Sequence, residues 1–301
     1  MTAVVPAYNA ASFVSAAVES VLAQTYEPVE CVVVDDGSTD ATSTVVAGFG
    51  SRVRCIRKAN GGVASARNTG LADARGEFVA FLDADDTWVP HKLERQMELF
   101  RSAPSTGLVY SGIAVVDEHL RPVGTIDPAP VDVALRNTLL LEQPFATGVG
   151  STGVLPARVL REIGGFDERL STSADCDLVC RVAIRYPLAC CPEPLAHYRS
   201  HPSQMSLNVE VFEHDMRIIL RKLFFEMDLP VELASLRRRA YANMYFNLAA
   251  GYLLQGKRRK GARYLCAAAI NEPRRTGSLL WRRVRFGPRP RPFATASSSA
   301  S

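Results

Sequence analysis

No stretch of this 301-residue chain approaches the ~20 consecutive apolar residues needed to cross a bilayer, so its own segments predict no membrane span. No basic segment followed by an apolar one precedes the first strand-like run, Ala3-Val4-Val5, so a secretion signal is not expected. After that run there is no Gly-x-Gly-x-x-Gly; Pro6-Ala7-Tyr8-Asn9 stands there instead. A Gly-Lys-Ser/Thr phosphate loop is also missing, which argues against a dinucleotide dehydrogenase and a P-loop ATPase. The seven cysteines are an odd count in a long chain and fit reduced thiols better than a disulfide framework. Cys176, Cys180, Cys190 and Cys191 do not supply the two closely spaced pairs of a zinc site, and apolar packing accounts for them.

What is present is a chain able to bury a large core. Apolar residues make up 47% and charged residues 22%, which excludes wholesale disorder. The net charge of +4 is unevenly spread. Residues 1–205 carry 17 Lys/Arg against 24 Asp/Glu, a net of −7; residues 206–301 carry 18 against 7, a net of +11. An acidic first part suits a cation-binding or carboxylate-based site. The basic last part, with Arg237-Arg238-Arg239 and Lys257-Arg258-Arg259-Lys260, suits an anionic membrane surface or equally a solvated helix face. No nucleic-acid motif accompanies it, so a nucleic-acid partner is not expected.

Periodicity divides the chain. Through about residue 110, strands at 3–5, 31–34, 53–56 and 78–82 alternate with helices at 12–24, 40–49, 63–74 and from Pro90 onward, the pattern of a doubly wound α/β sheet. Further strands are predicted at 108–116, 121–126, 153–155 and 195–198, with a helix over 175–186. From 206 to 285 the pattern is helical and basic, including one helix pair loosely like a tetratricopeptide unit. Residues 286–301 are rich in Pro, Arg, Ala and Ser and are expected to be a disordered tail.

Carboxylates collect at strand ends. Asp35-Asp36 follows one predicted parallel strand, and Asp83, Asp85 and Asp86 follow another. Open α/β sheets bind ligands outside the carboxyl ends of their strands, which makes these five residues candidates for one cleft. Packed like charges repel unless a cation or donors compensate, and a hard divalent ion prefers such oxygens. The competing reading, that Asp residues cap turns and helices, suits Asp40 but leaves three carboxylates in Asp83-Ala84-Asp85-Asp86 unexplained.

Six segments, in order, resemble glycosyltransferase family 2. They are Val4-Val5-Pro6-Ala7-Tyr8-Asn9, Val33-Val34-Asp35-Asp36-Gly37-Ser38-Thr39-Asp40, and Asn60-Gly61-Gly62-Val63-Ala64-Ser65-Ala66-Arg67-Asn68-Thr69-Gly70. The others are Phe81-Leu82-Asp83-Ala84-Asp85-Asp86, Gly164-Gly165-Phe166-Asp167-Glu168 and Tyr198-Arg199-Ser200-His201. The resemblance implies a GT-A fold, a Rossmann-like mixed sheet flanked by helices, over 1–205, with the basic helical extension following. It further implies a nucleotide-sugar donor, Mn²⁺ or Mg²⁺, and inverting transfer to a hydroxyl of a glycan or polyprenyl-lipid-linked acceptor. Such chemistry is expected in the cytoplasm, and a lipid-linked acceptor implies peripheral contact at the inner face of the membrane.

The same resemblance assigns roles. Pro6, Ala7 and Tyr8 line the base and ribose, Asp36 accepts from the base N–H, and Arg67 reaches the nucleotide. The Asp36 contact favours UDP or dTDP. Asp83 contacts ribose; Asp85 is the first choice as metal ligand, and Asp86 is a further metal-ligand candidate because it makes the register ambiguous. His201 joins the metal or diphosphate, or is a hydrogen-bonded structural residue. Asp175 is the expected base, in competition with a helix-dipole role that fits Asp177 better. Ala174 replaces the family's usual Glu, and this departure supports the alternative of a non-catalytic nucleotide-sugar-binding or scaffolding protein.

Overall fold

The computed structural model describes residues 1–142, 149–201, 204, 208–274 and 276–277. The tail expected over 286–301 lies outside these residues.

Three parallel strands begin the fold: β1 (Thr2–Ala7), β2 (Glu30–Asp35) and β3 (Val53–Arg57). Every residue of β1 is buried, as a strand covered on both faces requires. Between them run α1 (Val14–Leu22) and α2 (Thr42–Ala47). The chain then returns through α3 (Val63–Asp73) to β4 (Phe78–Phe81), parallel to β1 on its other side. The strand order β3-β2-β1-β4 therefore reverses direction between β1 and β4. That reversal opens a crevice at the carboxyl ends of both strands.

The second half makes the sheet mixed. A two-residue strand β5 (Thr87–Trp88) and helix α4 (Lys92–Ser102) lead to β6 (Leu108–Val116) and β7 (Pro122–Ile126). Helices α5 (Val131–Leu139) and α6 (Val149–Thr152) precede β8 (Val154–Pro156), which lies antiparallel between β4 and β6. After α7 (Ala157–Glu162) and α8 (Ala174–Ala183) comes β9 (Leu188–Arg199), parallel to β6. The nine strands of the described residues form one sheet, ordered β3-β2-β1-β4-β8-β6-β9-β5, with β7 on β6.

β9 is far longer than the strand expected at 195–198. Pro192, Glu193 and Pro194 interrupt its apolar pattern, and register shifts around Gly112 of β6 absorb them.

Two apolar layers hold the sheet. Val5, Val33, Val18, Leu93 and Phe100 fill one. Val4, Val32, Leu71, Leu155 and Leu178 fill the other. Each fully buried side chain of this size contributes ~1.5–3 kcal/mol. The helical extension is present as α9 (Val209–Arg221), α10 (Val231–Ala234), α11 (Arg237–Leu254) and α12 (Arg258–Asn271). Met216, Leu220, Met244 and Leu248 of α9 and α11 enter the same layer as Leu178, so extension and sheet share one core. α11 and α12 form the single hairpin that the sequence suggested. Among the described residues, no helix is long and apolar enough to cross a membrane. All seven cysteines are free thiols.

Candidate active site

The crevice between β1 and β4 gathers the residues singled out by sequence. Pro6 and Ala7 are buried at the end of β1, and Tyr8 emerges beyond them with 53% of its surface exposed. Beside them, β2 ends in two carboxylates with different surroundings. Asp35 is fully buried, and its oxygens accept from the Ser38 N–H at 2.8 Å and from the Ser43 hydroxyl. Burial pushes the Asp35 carboxyl up, but these hydrogen bonds outweigh it and hold the group below its usual range.

Asp36 is equally enclosed. Its Oδ1 accepts from Lys58 Nζ at 2.8 Å and Gly61 N–H at 3.0 Å, and its Oδ2 accepts from Gly62 N–H at 2.7 Å. In the described residues the Asp36 carboxylate ties down the turn that opens α3. Gly37 makes this possible. Its φ is +77°, and a Cβ there would meet the Asn60 nitrogen at 2.8 Å.

Arg67 projects from α3 and is 5% exposed, so it is not a solvated charge on the helix surface. Its Nη2 donates to Asp83 Oδ1 at 2.5 Å, and its guanidinium lies 5.2 Å from the Phe166 ring centre. Gly150 leaves room for this pair: a Cβ there would strike Arg67 Nη2 and stand 3.1 Å from Asp83 Oδ2. The Arg67 Nε is buried with no hydrogen-bond partner among the described residues.

The three carboxylates after β4 diverge. Asp83 and Asp85 keep side-chain exposures of 38% and 33% and face the crevice. Asp86 turns inward and is 3% exposed. Its Oδ2 accepts from the Ser151 hydroxyl at 2.6 Å and its Oδ1 from the Arg199 N–H at 3.0 Å. Burial first, then the charges of Asp85 and Asp83, push its carboxyl well above the usual range. Asp86 was expected among the metal ligands; in this structure both its oxygens are engaged inside the sheet.

Asp85 meets His201 across the crevice, with Oδ2 and Nε2 3.0 Å apart. The His201 ring packs on Phe13, ring centres 4.8 Å apart, and its backbone N–H donates to Gln204 Oε1 at 3.0 Å. Among the described residues no three His, Cys, Asp or Glu side chains converge on a point. The pair nonetheless fits a hard divalent ion. Neighbouring ligands around an octahedral ion with ~2.1 Å bonds stand ~3.0 Å apart, and such ions complete their shell with waters and substrate phosphates.

Asp175 lies in the first turn of α8, half-buried, with Oδ1 accepting from the Cys176 N–H at 2.8 Å. Burial raises its carboxyl above the usual range; the nearby Arg67 charge opposes this and Asp83 adds to it. The same three residues are thus electrostatically linked. Asp177 takes the structural role: it is fully buried and accepts from Arg181 Nε at 2.7 Å and from Lys222 Nζ. Ala174 is 0% exposed and packs in the apolar layer, so a carboxylate at that position would enter the core.

Sequence reasoning missed Ser151, Gly150 and Phe13. None carries a spacing signal; each matters through a neighbour far along the chain.

Comparison with known proteins places the chain by family and fold. Residues 2–151 match the model of Glycosyl transferase family 2. An uncharacterized glycosyltransferase of Rickettsia felis is 32% identical over 230 residues, covering 74% of this chain and 38% of that protein. The UDP-Glc:alpha-D-GlcNAc-diphosphoundecaprenol beta-1,3-glucosyltransferase WfgD of Escherichia coli is 45% identical over 98 residues, 32% of this chain and 39% of that one. The chain thus spans under half the length of these two relatives. The mannosyltransferase PcManGT of Pyrobaculum calidifontis, solved with GDP-Man and Mn²⁺, shares the fold with a TM-score of 0.61 at 20% identity, covering 95% of this chain and 79% of that one. On the family match and the ordered motifs, the chain belongs to glycosyltransferase family 2.

Proposed function

We propose that this protein transfers a sugar, with inversion, from a nucleoside diphosphate to a hydroxyl of a glycan or lipid-linked acceptor. The observation that carries the reading is the linked trio of Asp175, Arg67 and Asp83 beside the Asp85–His201 pair, all at the sheet's switch point. UDP or dTDP is the favoured donor. WfgD uses a UDP-sugar and a diphosphoundecaprenol acceptor by its name, which supports both halves of the proposal at the level of a relative.

In this reading the nucleotide lies against Pro6, Ala7 and Tyr8, on a floor shaped by Asp36 through Gly61 and Gly62. Arg67 is held by Asp83 and presents a planar, permanently charged fork suited to ribose and phosphate oxygens. Asp85 and His201 would hold Mn²⁺ or Mg²⁺, which supplies Lewis acidity toward the leaving diphosphate. Asp175 takes the acceptor hydroxyl's proton as that oxygen attacks the anomeric carbon. A carboxylate with a raised pKa is a stronger base for that step than an exposed one. The non-catalytic alternative rested on Ala174, and its complete burial gives that residue a packing role that leaves Asp175 in place.

The acceptor side includes a proposal of peripheral contact with the inner face of a membrane. Arg259, Arg263, Cys266 and Ile270 are exposed along one stripe of α12. Arg239, Lys257 and Lys260 are instead ion-paired to Glu142, Glu210 and Glu213. Sedimentation with anionic liposomes tests the contact; no binding removes it.

The catalytic reading is tested by thermal shifts with UDP, dTDP, GDP and CDP, each with Mn²⁺, Mg²⁺ or EDTA. A ligand at a hundredfold excess over Kd stabilises the fold by about 2.7 kcal/mol. A metal-dependent shift with UDP or dTDP is expected, and no shift with any nucleotide would point to the scaffolding role.

A further inference from the structure

The base lies on a helix whose start is held from outside. The residues before α8 form a turn, Ser171-Thr172-Ser173, and Ser173 caps the helix without a side-chain hydrogen bond of its own. One carboxylate gathers this turn. Asp215, fully buried on α9, accepts through Oδ2 from the Ser171 N–H at 3.1 Å, the Ser173 N–H at 3.0 Å and the Thr172 hydroxyl at 3.4 Å. A negative group in this place also complements the dipole at the start of α8. A second tie fixes the far side of the base. Lys222, at the end of α9, binds Asp177 of α8 and Asp167 at 3.0 Å each. Asp175 therefore sits between two points gripped by one helix of the extension. A cleft of about 410 Å³ runs along this turn, lined by Gly61, Gly62, Leu170, Ser171 and Asp215, and Gly61 and Gly62 are the residues whose N–H groups bind Asp36.

We propose that Asp215 is a positioning residue for Asp175: by holding three successive groups of the 171–173 turn, it fixes where the base stands, and the basic extension is thereby part of the catalytic apparatus. The inference rests on the reading of Asp175 as base. It gives α9 a role that apolar packing through Met216 and Leu220 does not require.

The test uses the full chain with Asp215→Asn, which keeps the shape and one acceptor oxygen toward the turn but removes the charge that strengthens all three contacts. Backbone amide exchange is followed at 171–177, together with kcat, donor KM and nucleotide Kd. Exchange is expected to speed up over that segment. Displacement of a catalytic group by about 1 Å costs up to ~100-fold in rate, so kcat should fall about 10- to 100-fold with donor KM and nucleotide Kd unchanged. His214→Ala removes the Nδ1 contact 3.2 Å from Asp215 Oδ1 but leaves the turn held, and should keep full kcat. Thr172→Val removes only the longest of the three contacts and should give a smaller effect of the same sign if Asp215→Asn does not fold. Unchanged exchange at 171–177 overturns the clamp. Faster exchange with unchanged kcat overturns its role in positioning, as does a parallel loss of nucleotide affinity, which marks general unfolding. If the wild type transfers no sugar from any donor, the functional reading fails, while the exchange measurement still decides the clamp.

Discussion

Lys92 is a buried ammonium with very little to satisfy it, and stability should record this as a pH dependence. The residue is 0% exposed; its Nζ donates to Gln96 Oε1 at 2.7 Å and stands 4.2 Å from the Trp88 ring centre. Burial lowers its pKa from 10.5 to about 7. Between those values the unfolded chain carries the proton and the folded chain does not. Stability therefore rises with pH across this window, by about 1.4 kcal/mol per unit. Below pH ~7 both states are protonated, and the full desolvation penalty remains, on the order of 5 kcal/mol. The raised thiols of Cys190 and Cys191 act in the opposite sense, but only above their unfolded value of 9.0. The interval from pH 7 to 8.5 is thus clear of them, and Lys92 should add roughly 2 kcal/mol across it. In a chain of this size that is a rise in Tm of about 3 °C. The N-terminal amine, also lowered, contributes with the same sign, so the decisive comparison is with Lys92→Met, which should flatten most of the slope. Scanning calorimetry at fixed ionic strength measures both. Equal slopes in wild type and Lys92→Met would refute the reasoning.

Two further substitutions probe the crevice. Gly150→Ala favours helix α6 locally but drives a methyl into Arg67 Nη2; nucleotide affinity should fall roughly tenfold by calorimetric titration, an unfavourable change of ~1.4 kcal/mol, with Tm little altered. An unchanged affinity would place Arg67 outside the binding site. Ser151→Ala removes the hydroxyl that Asp86 accepts from inside the sheet, which should destabilise the fold by about 1–3 kcal/mol in urea unfolding. No change would show that Asp86 is satisfied by other means.

Much of this architecture is written locally. The runs through Val4, Val32 and Phe81 are continuous because those strands are buried on both faces, so the strands read directly. Asp35, Asp36 and Asp83 could be placed at strand ends because the strands themselves were clear. β9 was only partly visible, since Pro192 and Pro194 break its pattern and a partner strand's bulge rescues it. The roles of individual acids were less legible. Asp83-Ala84-Asp85-Asp86 does not say which carboxylate turns inward; Ser151, 65 residues away, decides that for Asp86. Nothing local to Asp36 says that Lys58 and the Gly61-Gly62 turn bind it. Asp215 is one more acid in a charged helix until folding brings Ser171 and Ser173 to it.

Asp175 as general base is the centre of the account, and sugar transfer by Asp175→Asn against wild type tests it most directly. With a nucleotide-sugar donor and Mn²⁺, kcat should drop ~10²- to 10⁴-fold while donor affinity is retained. The wild-type acid limb should lie above the ordinary carboxylate range, because burial raises this group. Full activity in Asp175→Asn would contradict the account.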